Sequence, residues 1–272
     1  MEDGGGAGGV KQNTMKNLLI ILPLLLAGCT LDAQSGSSNA GSESREGNAV
    51  VEDGILISVE GIDVSNYEIE VEGFDVTGIT KNHLLCLATD ECDEELLTEL
   101  IEKGANVNFK CEEAGHVITN LAFCKGNGVK LTELLLSKGA DINGADQDND
   151  SFLSYAISYD NLELVEYLIK KGADRMQRDT NRNMGCLPIH GVESVEMLQL
   201  LISKGFEINQ ACDNGRNLLH FAARSNFKEV AQYLVENGLV DINKKDKNGE
   251  TPLDYALRFN HPEIADLIRG KE

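Results

Sequence analysis

Between Phe227 and Val235 the apolar residues Phe227, Val230, Ala231, Leu234 and Val235 return at the spacing of one helix face. Gly238 then stops the run, as helix C-termini favour. Upstream, Asn214-Gly215 marks a turn and Asn217-Leu-Leu-His-Phe-Ala-Ala223 opens a shorter helix. The pattern predicts helix, helix, hairpin. It starts again at Asn248-Gly-Glu-Thr-Pro-Leu-Asp-Tyr-Ala256, where Thr251 can cap the helix and Pro252 sits in a first turn that does not need its missing N–H.

A phrase closes most of these units: Gly104-Ala-Asn-Val-Asn108, Gly139-Ala-Asp-Ile-Asn143, Gly172-Ala-Asp174, Gly205-Phe-Glu-Ile-Asn209 and Gly238-Leu-Val-Asp-Ile-Asn243. Its glycines stand 35, 33, 33 and 33 residues apart. A period of this size predicts a stacked array in which each unit buries its apolar face only against its neighbours.

Two other stretches follow different patterns. Residues 15 to 30, Met-Lys-Asn-Leu-Leu-Ile-Ile-Leu-Pro-Leu-Leu-Leu-Ala-Gly-Cys-Thr, combine a basic start, a short apolar run and small residues before Cys29, as secretory signals do. The run is shorter than the roughly 20 residues that cross a bilayer core. Leu26-Ala-Gly-Cys29 resembles the lipobox of bacterial lipoproteins. The resemblance implies cleavage before Cys29 and lipid, three acyl chains in all, on the new N-terminal Cys29, with an ordinary cleaved signal as the alternative. Thr30 in place of aspartate favours, by the same resemblance, the outer membrane. Residues 1 to 14 read as sequence upstream of the natural start at Met15. From 29 to 50 small and polar residues predict a flexible linker. Between 51 and 81, Val59-Glu-Gly-Ile-Asp-Val64 is echoed by Val71-Glu-Gly-Phe-Asp-Val76, and Tyr67–Val71 alternates. Short strands shielding the open end of the first unit are expected there, with disorder as the competing reading.

The formal charge of −21 is uneven, with 17 acidic against 3 basic residues between 51 and 113. Nucleic acid and anionic membrane surfaces are disfavoured, because both are held by basic patches. A basic protein partner would be steered toward this half. A solubilising surface is the competing reading.

The units resemble ankyrin repeats, whose pattern runs Asp-x-x-Gly-x-Thr-Pro-Leu-His-x-Ala-Ala and ends in Gly-Ala-Asp-Val-Asn. The likeness covers residues 82 to 272 and implies a mainly α solenoid of about six helix–helix–hairpin units. The second unit departs with Gly126 and Gly128, and the fourth with a shortened first helix containing Pro188 and Gly191. The sixth ends in Arg269, Lys271 and Glu272, a polar finish suited to a terminal cap.

By resemblance the contact positions are the hairpin tips and the helix openings and ends. In the third unit these are Gln147, Asp148, Asp150, Ser158 and Tyr159. In the fifth they are Asp213, Asn214, Arg216, Arg224 and Ser225, and in the sixth Lys247, Asn248, Glu250, Arg258 and Phe259. Tyr159, Phe259, Arg216 and Arg224 are the expected anchors, since aromatics and arginine dominate hot spots. His220 occupies the place of a structural histidine.

Six cysteines follow Cys29, and export makes disulfides feasible. Repeat register suggests Cys86 with Cys111 and Cys186 with Cys212, leaving Cys92 with Cys124; six free thiols are the alternative. Cys111, His116 and Cys124 match no zinc spacing. No nucleophile elbow or phosphate loop occurs, so no catalytic, cofactor-binding or metal residues are assigned. The reading is a monomeric, lipid-anchored protein-binding module of the bacterial envelope. Two alternatives are an immunity or inhibitor protein acting on a secreted toxin or lipase, and a structural or stress-protective envelope protein without one tight partner.

Overall fold

A computed structural model of the chain describes residues 44–46, 49–52, 55–65, 69–70, 79–111, 115–180 and 184–271. The signal segment, Cys29 and the echo at 71–76 lie outside the described residues. The chain divides into two compact units. One holds the residues up to Leu87 together with Glu99–Ala105, and the other holds Ala88–Thr98 and everything from Asn106 onward.

The first unit contains β1 (Ser44–Glu46), β2 (Ala49–Glu52), β3 (Ile55–Val59), β4 (Ile62–Asp63) and β5 (Ile69–Glu70). They form an antiparallel sheet in which β3 is central, pairing β2 on one side and β4 and β5 on the other. The sheet begins at Ser44, inside the stretch expected to be linker. Strand pairing through the backbone needs no apolar side chain, so a composition that looks unstructured can still join a ladder. Leu56, Val59, Ile62 and Val64 are fully buried. The turn at Glu60 and Gly61 is tied within this unit by Lys81, whose ammonium lies 2.9 Å from Glu60 Oε2, and by Lys103, which donates to the Gly61 carbonyl at 3.0 Å.

Helices α1 (Lys81–Asp90) and α2 (Glu94–Glu102) make the first repeat. The others are α3 (Gly128–Ser137), α4 (Phe152–Ser158), α5 (Leu162–Lys171), α6 (Val195–Ser203), α7 (Leu218–Ser225), α8 (Lys228–Glu236), α9 (Pro252–Arg258) and α10 (Pro262–Arg269). In the second and fourth repeats the first helix is replaced by a 3₁₀ segment, Val117–Phe123 and Pro188–Gly191. The proline and glycine of the fourth repeat account for its short form.

Two layers run through the second unit. The inner layer stacks Val117–Phe123, α4, Pro188–Gly191, α7 and α9 in sequence, and the outer layer stacks α3, α5, α6, α8 and α10. Phe152, Leu164, Leu168, Leu198, Leu219, Ala222, Leu234 and Ala256 are fully buried between them. An apolar stripe of this kind is what makes each repeat dependent on the next.

The terminal phrase has a direct physical role. Asn108 Oδ1 accepts the backbone N–H of Asp141 at 2.8 Å, Asn143 that of Asp174 at 2.8 Å, and Asn209 that of Asp241 at 3.0 Å. Each asparagine thus forms a rung to the next repeat. The third phrase has Met176 at that position, and there Arg175 instead donates to the Lys204 carbonyl at 2.8 Å. The phrase glycines stop the outer helices with positive φ; Gly172, at 89°, caps α5 in the left-handed region that a side chain would strain.

Cys92 is bonded to Cys124 and Cys186 to Cys212, with Cα atoms 5.8 and 4.3 Å apart. These bonds join the first repeat to the second and the fourth to the fifth. Cys86 and Cys111 are also in the disulfide form.

Candidate binding site

The inner helix of the sixth repeat opens on a full capping box. Thr251 accepts the N–H of Asp254, and Asp254 Oδ2 accepts the N–H of Thr251 at 2.7 Å. The hairpin ahead of it is folded around one buried carboxylate. Asp246 Oδ1 accepts the N–H groups of Asn248 at 2.9 Å and Glu250 at 3.0 Å. Its Oδ2 accepts the Tyr255 hydroxyl at 2.9 Å and faces Arg216 Nε at 3.4 Å. Burial pushes the Asp246 carboxyl up, but bonds from Glu250, Tyr255, Asn248 and Arg216 outweigh it and hold it below its ordinary value.

Around this anchor the fifth and sixth repeats, with Met184 of the fourth, form an open groove of about 430 Å³. Met184, Asn214, Arg216, Arg224, Tyr255, Arg258 and Phe259 line it. Arg216 lies 5.1 Å from the Tyr255 ring centre, and Arg258 lies 4.4 Å from Tyr255 and 5.1 Å from Phe259. Arg224 sits 5.8 Å from the same Phe259 ring. Arg258 Nη1 donates to both Glu250 oxygens, at 2.6 and 2.9 Å. Tyr255 is buried and Phe259 is 40% exposed, so the groove has a fixed floor and an accessible wall.

Three of the four expected anchors, Arg216, Arg224 and Phe259, therefore converge on one site, joined by the contact positions Asn214, Arg258 and Glu250. The fourth, Tyr159, lies elsewhere. It packs edge-on to Phe123 at 5.9 Å and stacks with Tyr155 at 6.4 Å. Of the remaining positions, Ser225, Lys247, Asn248, Gln147, Asp148 and Ser158 are exposed around the hairpins and helix ends. Asp213 is held 3.4 Å from Arg178. Met184 and Tyr255 were missed at the sequence level. The repeat of the Asp246/Tyr255 spacing in Asp146/Tyr155, followed in each case by an aromatic four residues on, was the available signal for Tyr255.

The third hairpin copies the same fold with more acid. Asp146 Oδ1 accepts the N–H groups of Asp148 and Asp150 at 2.9 and 2.8 Å, and its Oδ2 accepts the Tyr155 hydroxyl at 2.5 Å. Burial, then the charges of Asp146, Asp179 and Asp148, push the Asp150 carboxyl up to about 7.

Two histidines act as inter-repeat staples. His220 Nε2 donates to the Glu250 carbonyl at 3.2 Å while Nδ1 accepts the Asn217 N–H at 3.2 Å; His190 does the same with Gln210 and Leu187. Burial lowers the pKa of both, keeping the imidazoles neutral. His190 also lies near Cys186 and Cys212, whose sulfurs are bonded to each other.

Residues 84–179 and 189–272 match a family model described as ankyrin repeats (3 copies). The potassium channel AKT1 of Oryza sativa subsp. indica is 43% identical over 61 residues, and the channel of that name from subsp. japonica matches equally. That match takes in 22% of this chain and 6% of each channel, so the chain spans only a small fraction of these relatives. A chain in the solved complex of the Bd0816 predatory endopeptidase from Bdellovibrio bacteriovorus with immunity protein Bd3460 has 23% identity and a TM-score of 0.58. It covers 69% of this chain and 97% of that one, and the likeness is one of fold.

Proposed function

The chain belongs to the ankyrin-repeat family, and from that premise we propose that it is a non-catalytic binding module whose fifth and sixth repeats dock a protein partner. Supporting this reading is the groove itself, which gathers three guanidinium groups and two aromatic rings with Phe259 left open. Arginine and aromatic side chains are the types that carry most interface energy. In the same proposal, lipid on Cys29 holds the module at the bacterial outer membrane, with the polar stretch that follows it as a tether. No helix among the described residues is long and apolar enough to cross a membrane.

The test is capture of the partner from detergent-solubilised membranes of producing cells, with stoichiometry read after cross-linking. One stoichiometric protein is expected with the unaltered chain, and its loss is expected on Phe259→Ala or Arg224→Ala. Retention of that protein by both variants sinks the assigned surface. The anchor is tested separately: alkynyl palmitate fed to cells should label the chain, and Cys29→Ser should abolish the label and release the protein to the soluble fraction.

A narrower reading makes the partner a secreted enzyme that this chain restrains. The fold-similar chain above occurs in an endopeptidase–immunity complex, but fold alone is shared. Identification of a hydrolase among captured proteins, with its activity blocked by the purified chain, would select this reading.

A further inference from the structure

We propose that the groove of the fifth and sixth repeats is a carboxylate-binding site, taking an acidic side chain from a peptide segment whose adjacent apolar residue rests on Phe259. This deepens the docking reading and rests on it.

Arg224 and Arg258 occupy the same position in successive repeats, 34 residues apart, so stacking brings their like charges onto one ring. Cation–π attraction holds a guanidinium over a ring face without neutralising it. Two of the three groove arginines are already compensated, Arg216 by Asp246 and Arg258 by both oxygens of Glu250. Arg224 is exposed and has no carboxylate partner among the described residues. The groove thus carries one uncompensated positive charge.

Arg224, 5.8 Å from the Phe259 ring centre, keeps the planar fork of N–H donors that suits a carboxylate. A single uncompensated charge matches one carboxylate; a phosphorylated side chain, with about −1.5 to −2 at neutral pH, exceeds it. The open volume of about 430 Å³ admits a few side chains and suits a peptide segment.

Local charge supports the assignment. Between residues 210 and 272 there are 9 basic and 10 acidic residues, against 3 and 17 between 51 and 113. The expectation of a basic partner comes from that acidic stretch, and the groove has the opposite character. The chain's overall negative charge opposes the approach of an acidic peptide at low salt, and this opposition fades as the Debye length shrinks to about 10 Å near 0.1 M. Binding is therefore expected to strengthen between low and moderate salt.

The experiment uses the full chain in detergent and fluorescence anisotropy of labelled peptides with blocked ends. The probe alternates Glu and Phe; companions carry Gln for Glu, Gln with a free terminal carboxylate, or phosphoserine for Glu. The Glu peptide is expected to bind about tenfold or more tightly than the Gln peptide. Arg224→Gln, at an exposed position where folding is not at stake, should abolish that preference, while Lys228→Gln should keep it. Equal binding of Glu and Gln peptides, no measurable binding of the Glu peptide, a preference for the free terminus alone or for phosphoserine, or full preference in Arg224→Gln would each overturn the proposal. If the peptides fail while Phe259→Ala still loses the captured partner, the carboxylate site falls and the docking surface stands.

Discussion

The hydroxyl of Tyr255 donates to Asp246 Oδ2 at 2.9 Å, joining the floor of the groove to the hairpin that shapes it. Both residues are buried. Tyr255→Phe removes one of the donors that offset the burial of this carboxylate and should destabilise the chain by about 1–3 kcal/mol. Urea melts at pH 7 test it; an unchanged midpoint would mean the bond contributes nothing net.

Asp150 gives a pH signature. Its carboxyl is pushed up to about 7 by burial and then by Asp146, Asp179 and Asp148, so the folded state holds a proton that the unfolded state releases near 3.8. Its contribution is complete below about pH 4 and is lost as pH rises through about 7. Asp150→Asn should therefore raise stability at pH 8 relative to the unaltered chain and leave it nearly unchanged at pH 4. The difference between the two midpoint-against-pH curves measures this without interference from the histidines.

A third expectation concerns the asparagine rungs. Asn143→Ala removes the bond to Asp174 and should cost about 1 kcal/mol. Met176→Asn should stabilise the fold by a few tenths to about 1 kcal/mol, since Met176 is 55% exposed and loses little packing. Thermal melts of the two single variants decide it, and a destabilised Met176→Asn would show that the repeat geometry there rejects the rung.

For the Cys186–Cys212 bond, which closes a separation of 26 residues, loop entropy predicts about 3 kcal/mol of stabilisation. Cys186→Ala/Cys212→Ala should lower the urea midpoint accordingly. Mass spectrometry of protein from its native compartment, without reductant, should recover the linked peptides. Six free thiols would show that the disulfides do not form there.

The array could be read from residues because its signals repeat in phase: glycine stops at intervals near 33, caps at Asn217 and Thr251, and the asparagines that end four of the five closing phrases, Asn108, Asn143, Asn209 and Asn243. That Arg216, Arg224 and Phe259 would face one groove was legible for the same reason, since they stand at helix openings and ends of neighbouring units. What the residues alone concealed was their sum. Net charge is a property of the chain, whereas the sign of a groove depends on which arginines already have carboxylates, and Glu250 and Asp246 settle that only through folded geometry. The strands at Ser44–Glu46 and Ala49–Glu52 were hidden because backbone pairing leaves little trace in polar sequence. The 3₁₀ form of Val117–Phe123 had only the nearby glycines to betray it, in contrast to Pro188.

The missing rung at Met176 falls between two stapled pairs of repeats, with Cys92–Cys124 on one side and Cys186–Cys212 on the other. A load applied along the stack would be shared unequally as a result. The cross-linked pairs would resist extension, so give along the stack would gather in the joints that no disulfide spans, the third-to-fourth among them, where Arg175 and the Lys204 carbonyl take the place of the asparagine rung.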